Sequence, residues 1–168
     1  MERNLTMDIP GNIKILAMDC DGVLTDGRIY FSVRDGQLIE EPKVFHVRDG
    51  QGLVEWHAAG FRSGIISGRT SEALELRAKQ LGVEFIFLKR KDKLAAFNEL
   101  VSHTGVSPDE IAYIGDDTPD IDVLRVVGFA IAVADAHDAV KDAAHYVTER
   151  KGGRGAVREV IDLLLRSK

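Results

Sequence analysis

The residues of this chain that could do chemistry begin with two aspartates, Asp19 and Asp21, at the end of the apolar run IKILAM. Like charges this close repel each other and resist burial unless a cation lies between them. Mg²⁺ prefers oxygen ligands, and a carboxylate beside it can attack phosphorus. The pair therefore suits phosphoryl transfer, with Asp19 as nucleophile and Asp21 as acid and base. The alternative is an acidic loop that only faces solvent.

Further polar residues follow three later apolar runs. They are Ser67, Gly68 and Arg69 after the second run, Lys93 at a helix start after the third, and Asp116, Asp117 and Asp120 after the fourth. In parallel α/β sheets, ligands sit beyond the carboxyl ends of the strands, so these residues are expected to converge on one edge. There Ser67 and the backbone amides after Asp19 can bind phosphoryl oxygens, and Lys93 can neutralise the charge on phosphate and nucleophile.

Short apolar runs that alternate with helical patterns predict the frame for these residues. Buried strands are expected at 13–18, 63–67, 84–88, 111–115 and 129–133, and helices at 71–82, 92–105, 120–128, 138–144 and 155–168. This alternation predicts an α/β, Rossmann-like three-layer fold with a central parallel sheet.

The segment at about 28–47 interrupts the alternation. Its β-rich runs flank Asp35-Gly36, a strong turn signal, and predict a small β-hairpin inserted after the first strand. The insertion is too small for a cap domain. Since two-stranded ribbons are marginal alone, its apolar residues are expected to be buried against something, such as another subunit. These residues are Tyr30, Phe31, Val44 and Phe45.

The length of 168 residues predicts a single domain, 1–168, that ends in a tail and helix at about 150–168. A net charge of −5 argues against nucleic acid and anionic membranes as partners. The single cysteine, Cys20, is compatible with a reducing cytosol and is expected to face the core. No apolar stretch resembles a signal peptide or membrane span, so a cytoplasmic location is expected.

Two other groups of residues are interpreted as structural. The five histidines show no metal-ligand spacing, so we expect them to be structural or exposed. Asp49 in RDGQG could line the site entrance or make a turn, and Gly50 and Gly52 favour the turn slightly.

DCDGVLT, Ser67, Lys93 and GDDTPD occur in the order of the four motifs of the haloacid dehalogenase-like phosphohydrolases, which the chain resembles over its whole length. More narrowly, DGVLTDG, FHVRDGQG, ISGR, AYIGDD, AVADAH and GGRGAVRE resemble the small tetrameric phosphatases acting on 3-deoxy-D-manno-octulosonate 8-phosphate. The resemblance implies that Asp19 is the nucleophile and Asp21 the acid and base. It also implies that Mg²⁺ is bound by the Asp19 side chain, the Asp21 carbonyl and Asp116.

The same resemblance implies further roles around the site. Phosphate would be bound by Gly22, Ser67, Gly68 and Lys93, with Asp117 and Asp120 as supporting residues near the metal and Lys93. Because a capless enzyme cannot exclude water by itself, neighbouring subunits of a homotetramer would cover the active site. Arg69 and Arg154 are then candidates for a substrate carboxylate, which a guanidinium matches bidentately.

In one place the chain departs from the family pattern. Lys89-Arg90 stands where a Gln-Gly pair usually precedes the motif-three lysine, so added cations either alter substrate preference or lie in solvent.

The expected function is Mg²⁺-dependent hydrolysis of a sugar-acid phosphate, 3-deoxy-D-manno-octulosonate 8-phosphate, through an aspartyl phosphate, in lipopolysaccharide precursor synthesis. The alternatives are a nonulosonate 9-phosphate phosphatase, a receiver-type module that keeps its acyl phosphate, and an inactive relative that serves as a binding or assembly subunit.

Overall fold

The computed structural model describes residues 9–40 and 42–168. In chain order its strands and helices are β1 (Ile15–Met18), β2 (Phe31–Arg34), β3 (Gln37–Glu40), α1 (Val47–Ala58), β4 (Arg62–Ile66), α2 (Glu72–Gln80), β5 (Phe85–Phe87), α3 (Lys93–Thr104), β6 (Ile111–Gly115), α4 (Ile121–Leu124), β7 (Phe129–Ala132), α5 (Asp138–Ala143), β8 (Tyr146–Val147) and α6 (Ala156–Arg166). Short 3₁₀ turns at Pro108–Glu110 and Thr118–Asp120 precede β6 and α4.

Six parallel strands form the central sheet in the order β5-β4-β1-β6-β7-β8. Strand β1 lies between β4 and β6, with Met18 opposite Ile65 on one side and Ile114 on the other. All four residues of β1 are buried, and because successive side chains point to opposite faces, both faces of the sheet are covered. The predicted Rossmann-like α/β fold is confirmed. Strand β8 was not predicted from the sequence.

The helices next to the strand ends begin and end at the signals that the sequence contains. Ser71 accepts a hydrogen bond from the Leu74 amide at the start of α2, and Asp92 accepts one from the Ala95 amide at the start of α3. Gly105 at the end of α3 has φ +66°, a conformation that favours glycine. The start of α3 is therefore fixed, and with it the position of Lys93.

Helix α6 packs against α1 and buries the apolar face that its sequence predicts. Its N-terminus is capped by the buried Asp49, which accepts hydrogen bonds from the amides of Gly155 (3.2 Å) and Arg158 (2.9 Å). Burial raises the pKa of the Asp49 carboxyl, and these hydrogen bonds act in the opposite direction. The interpretation of Asp49 as a turn residue was wrong, because this residue lies within α1.

The predicted hairpin is present, and β2 and β3 form an antiparallel sheet of their own. Asp35 and Gly36 both have positive φ angles, +51° and +74°, as a type I′ turn requires.

Within this chain, only some of the hairpin's apolar residues are buried as expected. Phe45 packs partly against the core, whereas Tyr30, Phe31 and Val44 are exposed. Val33 and Leu38, which pair across the two strands, are 71% and 66% exposed. The hairpin therefore presents an apolar surface to its surroundings.

Cys20 is buried, as expected, and the five histidines all have structural contacts. His46 and His137 accept backbone hydrogen bonds at the starts of α1 and α5. The rings of His57, His103 and His145 bond backbone or hydroxyl groups. Among the described residues, no helix combines the length and the apolar character that crossing a bilayer requires.

Candidate active site

The carboxyl ends of β1, β4 and β6 open into one cavity of about 460 Å³. Since these strands are neighbours, the loops that follow them meet there. The sequence-predicted site residues that line this cavity are Asp19, Asp21, Ser67, Gly68, Arg69, Lys93, Asp116 and Asp117.

Asp19 directly follows β1 and is almost completely buried. The Cys20 amide donates to its Oδ1 (2.6 Å), and the Lys93 ammonium lies 2.7 Å from its Oδ2. Burial and the charge of Asp120 raise the pKa of Asp19 to about 6, while Lys93 acts to lower it. Among the described residues each oxygen has one partner, so each keeps a lone pair for another ligand.

Lys93 is the first residue of α3, and its side chain is buried between two carboxylates. Its Nζ donates to Asp120 Oδ1 at 2.7 Å, the same distance as to Asp19. Burial acts to lower the pKa of Lys93, but the charges of Asp19 and Asp120 raise it overall. The ammonium therefore stays charged and holds the Asp19 carboxylate in one orientation.

Asp120 is fully buried, and its two oxygens each accept two hydrogen bonds. Oδ1 accepts from Lys93 and from the Tyr113 hydroxyl (2.7 Å), and Oδ2 accepts from the amides of Asp116 (3.0 Å) and Asp117 (3.3 Å). No lone pair is left for a metal ion. Asp120 therefore anchors Lys93 and the loop after β6.

Asp116 follows β6, and its Oδ1 is buried without a hydrogen bond from any residue in 9–40 or 42–168. Burial and the charges of Asp19 and Asp120 raise its pKa to about 8. Carboxylate oxygens of Asp19, Asp116 and Asp120 lie within 4.8 Å of one another. A cation bound by Asp19 and Asp116 would satisfy the unpaired oxygen and relieve this repulsion, so these two carboxylates fit Mg²⁺.

Gly22 brings the loop after β1 against Asp116. A Cβ at this position would lie 1.9 Å from Asp116 Oδ2, and φ is +87°, so only glycine fits. The Thr25 hydroxyl accepts hydrogen bonds from the amides of Gly22 (3.3 Å) and Gly27 (3.2 Å), which holds the loop closed.

The same loop is covered by the segment before α6. A Cβ at Gly152 would lie 1.7 Å from the Gly22 carbonyl oxygen, and the Gly153 amide donates to the Val23 carbonyl at 2.8 Å. The glycines of this tail are therefore required for its close contact with the loop after β1.

Ser67 follows β4 and is buried, and its hydroxyl oxygen accepts a hydrogen bond from the Arg69 amide (3.3 Å). The Ser67 carbonyl accepts from the Arg90 amide (3.0 Å), which ties this loop to the one before α3. The Ser67 hydroxyl hydrogen can therefore be directed to an anion in the cavity.

Asp21 has different partners from Asp19. Its carboxylate is paired with the ammonium of Lys43 and lies 3.8 Å from Nε of Arg69. Arg69 also donates to Glu40 at the end of β3 (2.6 Å). Lys43 was not predicted from the sequence, where its only signal is its position beside the apolar pair Val44-Phe45, against which its stem can be buried.

Arg154 and the Lys89-Arg90 pair were the other cations that the sequence singled out, and they differ in whether they line the cavity. Arg154 does not line the cavity of its own chain, and its guanidinium lies 3.4 Å from Asp26 on the surface. Lys89 is exposed with φ +58°, whereas Arg90 and Lys91 line the cavity. Of the two residues that depart from the family pattern, only Arg90 thus adds a cation to the site's edge.

A family model described as haloacid dehalogenase-like hydrolase matches residues 69–161. The chain belongs to this family. This haloacid dehalogenase-like hydrolase is 47% identical over 154 residues to the 3-deoxy-D-manno-octulosonate 8-phosphate phosphatase of Yersinia pestis, a match that covers 92% of the chain and 80% of the relative. It is 44% identical to the enzyme of the same name from Escherichia coli K12, with the same coverage.

Solved structures show the same similarity. The haloacid dehalogenase-like hydrolase matches the 3-deoxy-D-manno-octulosonate 8-phosphate phosphatase of Moraxella catarrhalis, in complex with magnesium, phosphate and KDO, with a TM-score of 0.88 and 39% identity. That match covers 94% of this chain and 88% of the other. The Yersinia pestis phosphatase structure gives a TM-score of 0.87 and 44% identity, and covers 94% of this chain and 83% of the other.

Proposed function

We propose that the protein is a Mg²⁺-dependent phosphatase that hydrolyses 3-deoxy-D-manno-octulosonate 8-phosphate, with its 168 residues as a single domain. The observation that carries the proposal is the unpaired, buried Oδ1 of Asp116 beside Asp19, in a cavity that Ser67 and Lys93 also line. The similarity to phosphatases of this name supports the substrate.

In this proposal, the carboxylates of Asp19 and Asp116 and the backbone carbonyl of Asp21 hold the metal. Bound Mg²⁺ supplies positive charge that keeps these carboxylates ionised and offsets the charge of the phosphate. Asp117 and Asp120 support the site from outside this set. Asp120 does so through Lys93 and the amides that it holds.

The first half of the reaction transfers the phosphoryl group to the protein. Ser67 and the amides of the loop that contains Gly22, together with Gly68, bind the phosphoryl oxygens, and Lys93 offsets their charge. A carboxylate oxygen of Asp19 forms a bond to phosphorus as the bond to the sugar oxygen breaks. Asp21 gives its proton to the leaving sugar oxygen, so the alcohol product is neutral.

The second half releases phosphate. Asp21, now ionised, takes a proton from water as the water oxygen bonds to phosphorus, and the bond between phosphorus and Asp19 breaks. Asp19 is restored as a carboxylate and Asp21 as an acid. Arg69 lies at the edge of the cavity beside Asp21, where it can bind a substrate carboxylate in two-point contact.

Turnover on a substrate panel tests the proposal. With Mg²⁺ we expect many turnovers per enzyme and a higher kcat/KM for the octulosonate 8-phosphate than for a nonulosonate 9-phosphate. Removal of Mg²⁺ with EDTA should abolish phosphate release. A single retained phosphate per chain would instead indicate a receiver-type module, no phosphorylation an inactive relative, and a reversed substrate preference the nonulosonate enzyme.

Magnesium should stabilise the protein more at high pH than at low pH. The pKa of Asp116 is raised from 3.8 to about 8, so the stability that its protonated form contributes is complete below pH 3.8 and is lost as pH rises through about 8. Metal binding needs the ionised form, so the Mg²⁺-induced rise in Tm should increase from pH 6 to above pH 8. Thermal unfolding with and without Mg²⁺ measures this rise. Asp116→Asn should reduce its pH dependence to the part that Asp19, with a pKa of about 6, contributes. An equal rise at all pH values in the unmodified protein would contradict the prediction.

We also propose that the exposed hairpin surface is covered by other copies of the chain in a homotetramer. Val33 and Leu38 are too exposed for apolar side chains of their size in a hairpin that has no core of its own. In such an assembly neighbouring subunits cover the cavity, and Arg154 can face a neighbour's substrate.

Val33→Asp is expected to dissociate the assembly and lower activity, because it buries an unpaired charge in the interface. Sedimentation velocity measures the change in mass. Val126→Asp is the matched control, since Val126 is also an exposed valine but lies just after α4, outside the hairpin. If Val33→Asp sediments like the unmodified protein, the hairpin is not the interface.

A further inference from the structure

Four charged side chains form a closed ring beside the cavity. The Lys43 ammonium is paired with Asp21 Oδ1, and Asp21 Oδ2 lies 3.8 Å from Arg69 Nε. Arg69 Nη2 lies 2.6 Å from Glu40 Oε2, and Glu40 Oε1 lies 4.0 Å from Lys43. When Asp21 is ionised, charges alternate around the ring, which joins the loop after β1 to the loop after β4 and to the base of the hairpin.

Lys43 is the least exposed of the four, with only 7% of its side chain accessible. Burial of an ammonium is unfavourable unless it is paired, and a buried ion pair often adds no net stability compared with apolar side chains of similar size. Stability alone is therefore a weak reason for a lysine here. The position of its partner, Asp21, gives a stronger one.

Asp21 lacks the fixed contacts that orient Asp19. Among the described residues, the charged groups that contact the Asp21 side chain are Lys43 and Arg69. Arg69 is half-exposed and has its shorter contact with Glu40, so it is a poor anchor for Asp21. Lys43 holds one oxygen of Asp21 and leaves Oδ2 directed toward Arg69, which lines the same cavity.

We propose that Lys43 is a positioning residue that orients Asp21 for proton transfer, an inference that rests on the proposed phosphatase function. By fixing Oδ1, Lys43 limits the rotation of the carboxyl group and keeps Oδ2 at the cavity, where the leaving oxygen of the substrate must lie. Because a small displacement of a catalytic group can cost about 100-fold in rate, this restraint acts on the proton-transfer step. Lys43 itself touches neither substrate nor metal in this proposal.

Lys43→Met tests the inference, since methionine keeps a long, flexible side chain but removes the charge and the hydrogen bond to Asp21. The values of kcat/KM, which report phosphorylation of Asp19, are compared for the sugar-acid phosphate and for p-nitrophenyl phosphate. The sugar oxygen needs a proton to leave, whereas p-nitrophenolate is stable without one. We expect a loss of about 10- to 100-fold for the sugar-acid phosphate and less than about 3-fold for the aryl phosphate.

Lys91→Met is the matched control, because Lys91 lines the same cavity without an ion pair to Asp21. Its loss, whatever its size, should be equal for the two substrates. Lys43→Gln provides a second variant if Lys43→Met folds poorly, and it should show the same selective loss. An equal loss for both substrates in the Lys43 variants, with normal thermal unfolding, would overturn the inference.

A double mutant separates this inference from the proposed function. In an Asp21→Asn background, Lys43→Met should cost nothing further in kcat/KM, because Lys43 acts through Asp21. Additive losses would show that Lys43 acts by another route while the phosphatase function stands. If the unmodified protein releases no phosphate from either substrate with Mg²⁺, it is the proposed function that fails.

Discussion

Asp19→Asn should lower kcat for the sugar-acid phosphate by at least about 10⁴-fold, the scale on which removal of a nucleophile acts in other hydrolases. An amide cannot form the acyl phosphate, yet it occupies the space of the carboxylate. Saturating Mg²⁺ should not restore the rate, since the loss is one of chemistry. Steady-state turnover, together with labelling of the protein by radioactive substrate phosphate, measures both the rate and the covalent intermediate.

The matched control for Asp19→Asn is Asp117→Asn. Asp117 lines the same cavity, but its side chain accepts a hydrogen bond from the Thr118 amide and lies outside the carboxylate cluster around Lys93. We expect it to retain most of its activity, within about 10-fold of the unmodified protein. Full activity of Asp19→Asn at saturating Mg²⁺ would mean that the carboxylate of Asp19 does not attack phosphorus.

Lys93→Met should damage both stability and catalysis. The ammonium lies 2.7 Å from each of two buried carboxylates, and removing one member of a buried ion cluster costs about 3–5 kcal/mol. Loss of its charge at the phosphoryl group should lower kcat by about 10²- to 10³-fold. Urea unfolding gives the free energy of unfolding, and the kinetic assay gives the rate.

The pH dependence of the Lys93→Met stability loss has a defined sign. The pKa of Asp19 is about 6, above its ordinary value of 3.8, even with the lysine present. The stability that protonated Asp19 contributes is complete below pH 3.8 and is lost as pH rises through about 6, and without Lys93 the pKa rises further. The variant should therefore be closest to the unmodified protein in acid. Lys91→Met, on the surface, is the control, and an unchanged urea midpoint for Lys93→Met would contradict the prediction.

The sequence predicted most of the sheet because its strands are short apolar runs with buried residues on both faces. Strand β8 was missed because two residues, Tyr146 and Val147, are too few to show a period. Asp49 was misplaced because glycines on both sides of Gln51 resemble a turn. In the structure Gly52 lies in α1 for a different reason, since a Cβ there would lie 3.1 Å from the Arg158 side chain in α6.

For the candidate site, too, some residues could be predicted from the sequence and others could not. Asp19, Ser67 and Asp116 could be placed together because they follow neighbouring parallel strands, and topology alone brings such ends together. Lys43 could not be predicted, because its contact with Asp21 depends on how the hairpin returns to the sheet. The position of Arg154 depends on the path of the tail over Asp26, which has no periodic signal in the sequence.

The contact of Gly152 and Gly153 with the loop after β1 has a consequence for how the protein is made. The loop that carries Asp21 and Gly22 is synthesised before the tail that covers it. A nascent chain therefore lacks this support until residues 151–155 have emerged. Phosphatase activity should therefore require this tail, and a chain that stops before Gly152 would leave the catalytic loop without its cover.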